Sequence, residues 1–393
     1  MVLEMESMAT AIGVSVPVLR FLLCFVATIP VSFAWRFMPG PAAKHLYAAA
    51  SGAFLSYLSF GATSNLLFIF PMTFGYTSML LLRRYAGIFT FFAGFAYLIS
   101  CDGLLKDESL TESQKKNRLV HRPTAIEYIG YCLCCGSHFA GPVYEMKEYL
   151  EWTEGEGIWS SPKGKSSPSP YRAMFRAIVQ AAICMGIYLY LVPHFPLTRF
   201  NEPAYNQWGF WKRLFYQYMS GFTARWKYYF IWSISEASII ISGLGFSGWS
   251  DSFPPISLWH RAKNVDIFGV ELATSAVQLP LVWNIQGLYP GYIIFFVQSA
   301  LMIAGSRVIY RWQQAVSPKN ALLGKLLTLT NFFYTLLVLN YSCIGFLVLS
   351  MQETLASYKS VYFVGTIVPI LFILLGKIIK PGRPVRAKTQ KSQ

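Results

Sequence analysis

The sequence predicts an all-α fold, a polytopic transmembrane helical protein with about 8–10 membrane segments. Three observations carry this. Hydrophobic residues make up 54% of the 393 residues and charged residues only 13%, whereas an ordinary globular chain carries about 25% charged residues. Mean hydropathy is +0.41. The apolar residues also fall into blocks near the ~20 residues that cross a bilayer as a helix, with lysines and arginines gathered between the blocks.

The first block, 14–35, follows Glu4 and Glu6 instead of a basic region, and no small-residue cleavage site comes after it. It therefore reads as a retained span and not as a removed signal peptide. Further candidate spans are 45–61, 64–83 and 86–101. The first hydrophilic stretch, Asp102 to Arg122, contains Ser109-Leu-Thr-Glu112, a capping box that predicts a short amphipathic helix. A second box, Thr124-Ala-Ile-Glu127, opens Ile126–Phe139, which ends at Ala140-Gly141-Pro142. Lys147–Pro170 is rich in Gly, Ser, Pro and charge and reads as an exposed, partly disordered loop. The remaining candidate spans are 173–194, 214–246, 288–306, 322–350 and 361–379.

One transmembrane domain, 1–380, thus takes nearly the whole chain, with loops at 102–125 and 147–171 and a basic disordered tail at 381–393. The net charge of +15 sits between spans: Lys115, Lys116, Arg118 and Arg122; Lys163 and Lys165; Arg307 and Arg311; and Lys380, Arg383, Arg386, Lys388 and Lys391 in the tail. That is the positive-inside pattern, which places both loops and the C-terminus in the cytosol. No basic run is interleaved with exposed aromatics on a soluble module, so nucleic acid is not the expected partner.

Cys132, Cys134, Cys135 and His138 form C-x-C-C-x-x-H, but the second C-x-x-C unit usual in zinc sites is missing, and no metal is expected. Palmitoylation and ordinary helix packing are the open alternatives for these cysteines. Asn340-Tyr341-Ser342 fits a glycosylation sequon, yet it lies in an apolar segment and should stay unused. Each of the five histidines reads as a surface or interfacial group: His45 at a span start, His121 beside basic residues, His138, His194 and His260.

Phe222-Thr-Ala-Arg225-Trp-Lys227-Tyr-Tyr229-Phe-Ile-Trp232-Ser-Ile-Ser-Glu236 is the stretch richest in chemistry. On a helix, Arg225, Tyr229, Trp232 and Glu236 share one narrow face. Arg225 and Glu236 lie about 16 Å apart along the axis and cannot pair with each other. A charge at mid-membrane costs about 2.5–3.5 kcal/mol on insertion scales, so this face should look into protein or a watery cavity. The plainer alternative puts Arg225 and Lys227 in the headgroup layer, snorkelling. Glu236, deeper and followed by Ile239-Ile-Ile241, has less access to that escape.

Arg225-Trp-Lys-Tyr-Tyr, Glu236, Gly243-Leu-Gly-Phe-Ser-Gly248, Lys263-Asn-Val-Asp266, Glu271 and Trp283-Asn284 occur in this order, with Phe139-Ala-Gly-Pro142 upstream. In this combination the chain resembles the membrane-bound O-acyltransferase family, and within it the lysophospholipid acyltransferase branch. The resemblance implies a multi-pass protein of the endoplasmic reticulum membrane. Its chemistry would be acyl transfer from acyl-CoA, a co-substrate, to the hydroxyl of lysophosphatidylcholine or a related lysophospholipid, with no further cofactor. Asn284 takes the family's catalytic asparagine position; Arg225, Tyr229, Trp232, Glu236 and Trp283 are the substrate-binding candidates.

Two junctions depart from the family pattern. Cys101 runs directly into Asp102-Gly103, and Gln286 directly precedes Gly287, where the family has a further segment ending in a His-Gly element. The alternative this raises is a catalytically inactive splice or gene-model variant that binds only lipid or a full-length partner. A transporter is the lesser alternative, disfavoured by the lack of repeated halves.

Overall fold

The computed structural model describes residues 5–9, 15–81, 123–142, 144–160, 168–252, 256–276, 290–318 and 320–379. Among these there is no strand, only an isolated bridge between Trp249 and Ser257. The main helices are α1 (Val16–Ala34), α2 (Gly40–Leu81), α3 (Ala125–Cys132), α4 (Met146–Glu154) and α5 (Tyr171–Leu191). They continue with α6 (Phe210–Ser242), α7 (Pro290–Val316), α8 (Ala321–Val348), α9 (Met351–Ser360) and α10 (Val364–Ile378).

Local sequence explains several boundaries. α1 starts with a proline in its first turn, where the missing N–H has no helical partner to lose. The expected spans 45–61 and 64–83 fall on the single helix α2, broken at Gly61 by a left-handed φ of +80° that suits glycine. Thr124 and Glu127 form the expected capping box, with Glu127 Oε2 accepting from the Thr124 N–H at 2.7 Å. Asn320 caps α8 by accepting from the Leu323 N–H at 3.1 Å. α9 and α10 form a bent pair at 74°. Between them, Tyr362 and Phe363 both take left-handed backbone, φ +54° and +53°, a conformation that costs a non-glycine residue about 1–2 kcal/mol.

Three described helical stretches are long and apolar enough to cross a membrane: Val16–Phe37, Tyr171–Leu191 and Ala321–Val348, with the bent pair as a possible fourth. The expected total of about 8–10 segments also counted stretches that break this pattern. The segment 86–101 lies outside the described residues. Segment 214–246 falls largely on α6, which carries Lys212, Arg213, Arg225, Lys227 and Glu236. Large apolar side chains face outward on the spans, as lipid contact requires: Phe175 on α5 is 66% exposed and Leu322 on α8 is 78% exposed.

The chain divides into two compact units. One comprises Met1–Ile183 and Phe230–Asn264; the other comprises Cys184–Tyr229 and Val265–Gln393. In the first unit, hydroxyls and small residues join the helices. Ser238 Oγ pairs with Ser32 Oγ at 2.7 Å and donates to the Thr28 carbonyl at 3.1 Å, so α1 and the second half of α6 pack closely.

The stretch read as an exposed loop from Lys147 is partly structured and buried. It opens with α4, whose Tyr149 and Trp152 belong to the core, because Trp152 stacks on Trp35 with ring centres 3.6 Å apart. His45, read as interfacial, is buried at 2% exposure, with Nδ1 3.2 Å from the Tyr149 hydroxyl. Burial pushes the phenols of Tyr144 and Tyr149 well above their ordinary range. Tyr144 therefore keeps its proton and donates to the Arg261 carbonyl at 2.9 Å. Arg261 in turn reaches Glu148 at 3.1 Å.

In the second unit, α7 and α8 pack along their lengths and α10 closes against α7. Gly365 is needed there, since a Cβ would come within 2.3 Å of the Tyr341 ring.

Candidate functional site

Among its described residues the second unit contains one buried charged node. Arg225, on α6, is 5% exposed. Its Nε and Nη2 donate to the two oxygens of Glu271 at 2.8 and 2.7 Å, a bidentate fork. Its Nη1 donates to Asn340 Oδ1 on α8. The Tyr229 hydroxyl, one turn along α6, donates to Glu271 Oε1 at 2.6 Å. Asn340 is held in position because its own amide donates to the Leu336 carbonyl at 2.7 Å.

The sequence explains why these groups meet. Arg225 and Tyr229 are four apart on α6 and share a face. Glu271 ends the short helix Ile267–Glu271. Gly221 lets α6 approach α8, since a Cβ there would sit 3.1 Å from the Asn340 carbonyl oxygen. Chemically the node is closed. Both Glu271 oxygens already accept hydrogen bonds and the arginine fork is committed, so this carboxylate is a neutralised anchor and not a free base.

The snorkelling alternative for Arg225 is thereby overturned: its charge is satisfied inside the protein. Asn340, read only as an idle sequon, turns out to be a partner of that arginine. Glu271 had appeared in the motif order with no role attached. The available signal for both was a polar or charged residue in or beside an apolar run, which is expensive without a partner.

The first unit holds the other half of the α6 face. Trp232 is half-buried, and Glu236 is 5% exposed. Among the described residues Glu236 makes no hydrogen bond or ion pair; Lys263 and Arg176 act on it only through space. Asn264, beside Lys263, donates to the Ala140 carbonyl at 2.9 Å, which ties the Lys-Asn-Val-Asp stretch to Phe139-Ala-Gly-Pro. The structure thus brings Arg225 and Tyr229 together with Glu271 and Asn340. Trp283, Asn284 and Gln286 lie outside the described residues.

A family model for the membrane-bound O-acyltransferase family matches residues 51–286. The chain is 58% identical over 463 aligned residues to a protein named lysophospholipid acyltransferase 1 from Arabidopsis thaliana, covering 100% of both. It is 59% identical over 464 to lysophospholipid acyltransferase 2 from the same plant, covering 100% of this chain and 99% of the relative. Membrane-bound glycerophospholipid O-acyltransferase 1 of Mus musculus is 28% identical over 72% of this chain and 66% of its own length. Because 393 residues occupy the first alignment of 463, at least 70 of its positions have no counterpart in this chain.

Proposed function

The chain belongs to the membrane-bound O-acyltransferase family, and we propose that it works as an acyl-CoA:lysophospholipid O-acyltransferase in phospholipid remodelling. The observation that carries this is the identity of 58–59% across the whole chain to two proteins named lysophospholipid acyltransferases. In the reaction the lysolipid hydroxyl oxygen attacks the thioester carbonyl carbon, a C–O bond forms and the C–S bond breaks. The hydroxyl proton ends on the departing CoA thiolate. No metal or redox group is called for, and the bilayer supplies the lysolipid.

Within that reaction Asn284 would orient the reactants or stabilise developing oxyanion charge. Trp283 and Trp232 would flank the lipid, and Glu236, buried with no bonded partner among the described residues, would face the polar part of a substrate. Arg225 and Tyr229 would act through the Glu271 anchor.

A second reading rests on a specific observation. Gln286 stands before Gly287 where the family has histidine, and a missing general base costs typically about 10²–10⁴-fold. On that reading the chain binds lipid or a full-length partner without turnover. Expression in microsomes lacking endogenous activity, with labelled acyl-CoA and lysophosphatidylcholine, separates the two. Transfer above background is the expected result. Lysolipid binding without transfer, restored only when the family's segment is inserted after Gln286, would establish the second reading.

For location we propose the endoplasmic reticulum membrane with a cytosolic C-terminus, supported by five basic and no acidic residues from Lys380 onward. Protease added to sealed microsomes should remove an epitope placed on the tail; protection of that epitope would reverse the orientation.

A further inference from the structure

In the first unit the second half of α6 lies against α5. Gln180 Nε2 on α5 donates to Ser233 Oγ on α6 at 2.8 Å. Ala181 shares a core cluster with Ile234, and Ala177 shares another with Ala237. Moving back along α5 thus moves forward along α6, so the two helices are antiparallel here. Arg176 stands one turn back from Gln180, and Glu236 stands three residues on from Ser233, which puts both on the faces that meet. Lys263 reaches the same place from a third element. Ala262 before it is fully buried in the cluster of Ala177 and Ala237, and Asn264 after it donates to the Ala140 carbonyl at 2.9 Å. Both cations lie within electrostatic range of Glu236.

Three properties make this a place for a ligand. Glu236 is 5% exposed and has no bonded partner among the described residues, yet its carboxylate oxygens are not sealed from solvent as the Trp35 indole N–H is. A carboxylate in that state has lost hydration without replacement, and a cationic group arriving at it makes good the loss. Arg176 and Lys263 are exposed and make no salt bridge among the described residues, whereas Arg261, two residues before Lys263, is engaged by Glu148 at 3.1 Å. Arg176 also stands five residues into a stretch long and apolar enough to cross the membrane, where an unpaired cation is costly and marks a path for polar groups. A buried negative charge with two unpaired positive charges at its rim complements a zwitterion. A polyanion such as the phosphates of CoA would gain from the cations and lose at Glu236.

We propose that Glu236, Arg176 and Lys263 select the headgroup of the lysophospholipid by holding a zwitterionic phosphoester, its ammonium facing the Glu236 carboxylate and its phosphate meeting Arg176 and Lys263. The assignment rests on the lysophospholipid reading and adds to it which residues read the headgroup. It also sets the order of preference: headgroups ending in a cation bind ahead of purely anionic ones.

Binding of 1-hexanoyl-lysophosphatidylcholine and 1-hexanoyl-lysophosphatidate to the purified full chain in neutral detergent, followed by tryptophan fluorescence, tests this without turnover. The native chain should prefer the choline lipid. Glu236→Gln should weaken the choline lipid by roughly tenfold and leave lysophosphatidate unchanged or tighter, whereas Glu236→Asp should keep the preference. R176Q/K263Q removes two exposed cations worth up to about fivefold each, so both lipids should weaken together, by up to ~25-fold. Lys325→Gln, on α8 and outside this group, should change neither. A misfolded variant lowers both affinities alike, so a preference lost in E236Q reports the headgroup contact itself. Equal losses for both lipids in E236Q, or unchanged affinities in R176Q/K263Q, would overturn the proposal. Glycerophosphocholine binding as tightly as the lysolipid would make this a site for a free headgroup and overturn it too. Absent acyl transfer in microsomes with the preference intact would refute turnover and leave this assignment standing; transfer with the preference untouched by E236Q would do the reverse.

Discussion

Arg225 and Glu236 stand on one helix, eleven residues apart and both 5% exposed, yet their surroundings are opposite. Arg225 is neutralised by a bidentate carboxylate, a side-chain amide and a neighbouring phenol's hydrogen bond to that carboxylate. Glu236 has cations within electrostatic range and no bonded partner among the described residues. Burial alone therefore does not decide what a charge is for. A buried charge with every bond made fixes the backbone around it. One left unsatisfied keeps its capacity for something that arrives later.

The contrast breaks most visibly at Arg225. Arg225→Met leaves Glu271 uncompensated and should destabilise the protein by about 3–5 kcal/mol, read as a lowered unfolding temperature in detergent. The pair R225M/E271L, which removes both charges, should recover much of that. If the single variant unfolds as the native protein does, the node is not an anchor. Tyr229→Phe removes one hydrogen bond to the same carboxylate and should cost about 1.5–3 kcal/mol, with R225M/Y229F less than additive because both act on Glu271.

Glu236→Gln should behave in the opposite sense. It removes a charge with no bonded partner to strand among the described residues, so stability should move by no more than about 1 kcal/mol, while lysophospholipid binding weakens by roughly tenfold, equivalent to ~1.4 kcal/mol. Lost stability with unchanged binding would put Glu236 in the same class as Arg225. The smallest effect belongs to Glu151→Leu. Glu151 is half-exposed and only 3.9 Å from Lys147, a surface pair worth about 0–1 kcal/mol. Expression and lysolipid binding should match the native chain, and an effect on binding as large as that of Glu236→Gln would show that depth does not separate the two carboxylates.

Much of the fold was legible in the sequence. Blocks of apolar residues announced the spans, because a bilayer demands length and hydropathy that few other environments do. Thr124-x-x-Glu127 announced the start of α3 because both cap bonds are local. The 225–229–232–236 face was legible for the same reason: helical periodicity is a property of neighbours in the chain. Family membership also came from motif order alone.

What the sequence could not decide was where each polar group on that face finds its partner. Glu271 lies 46 residues from Arg225 and Asn340 lies 115 away, and nothing local ties such separations together. The helix α4 and the burial of His45 escaped for the same reason: Gly-, Ser- and charge-rich composition reads as loop until Trp152 finds Trp35 and Tyr149 finds His45. Periodicity set which side chains share a face, and hydropathy set which helices meet lipid. Only tertiary packing could bring a carboxylate to Arg225 and leave Glu236 with no bonded partner among the described residues, since the free energy of a buried charge depends on groups the chain brings in from far away.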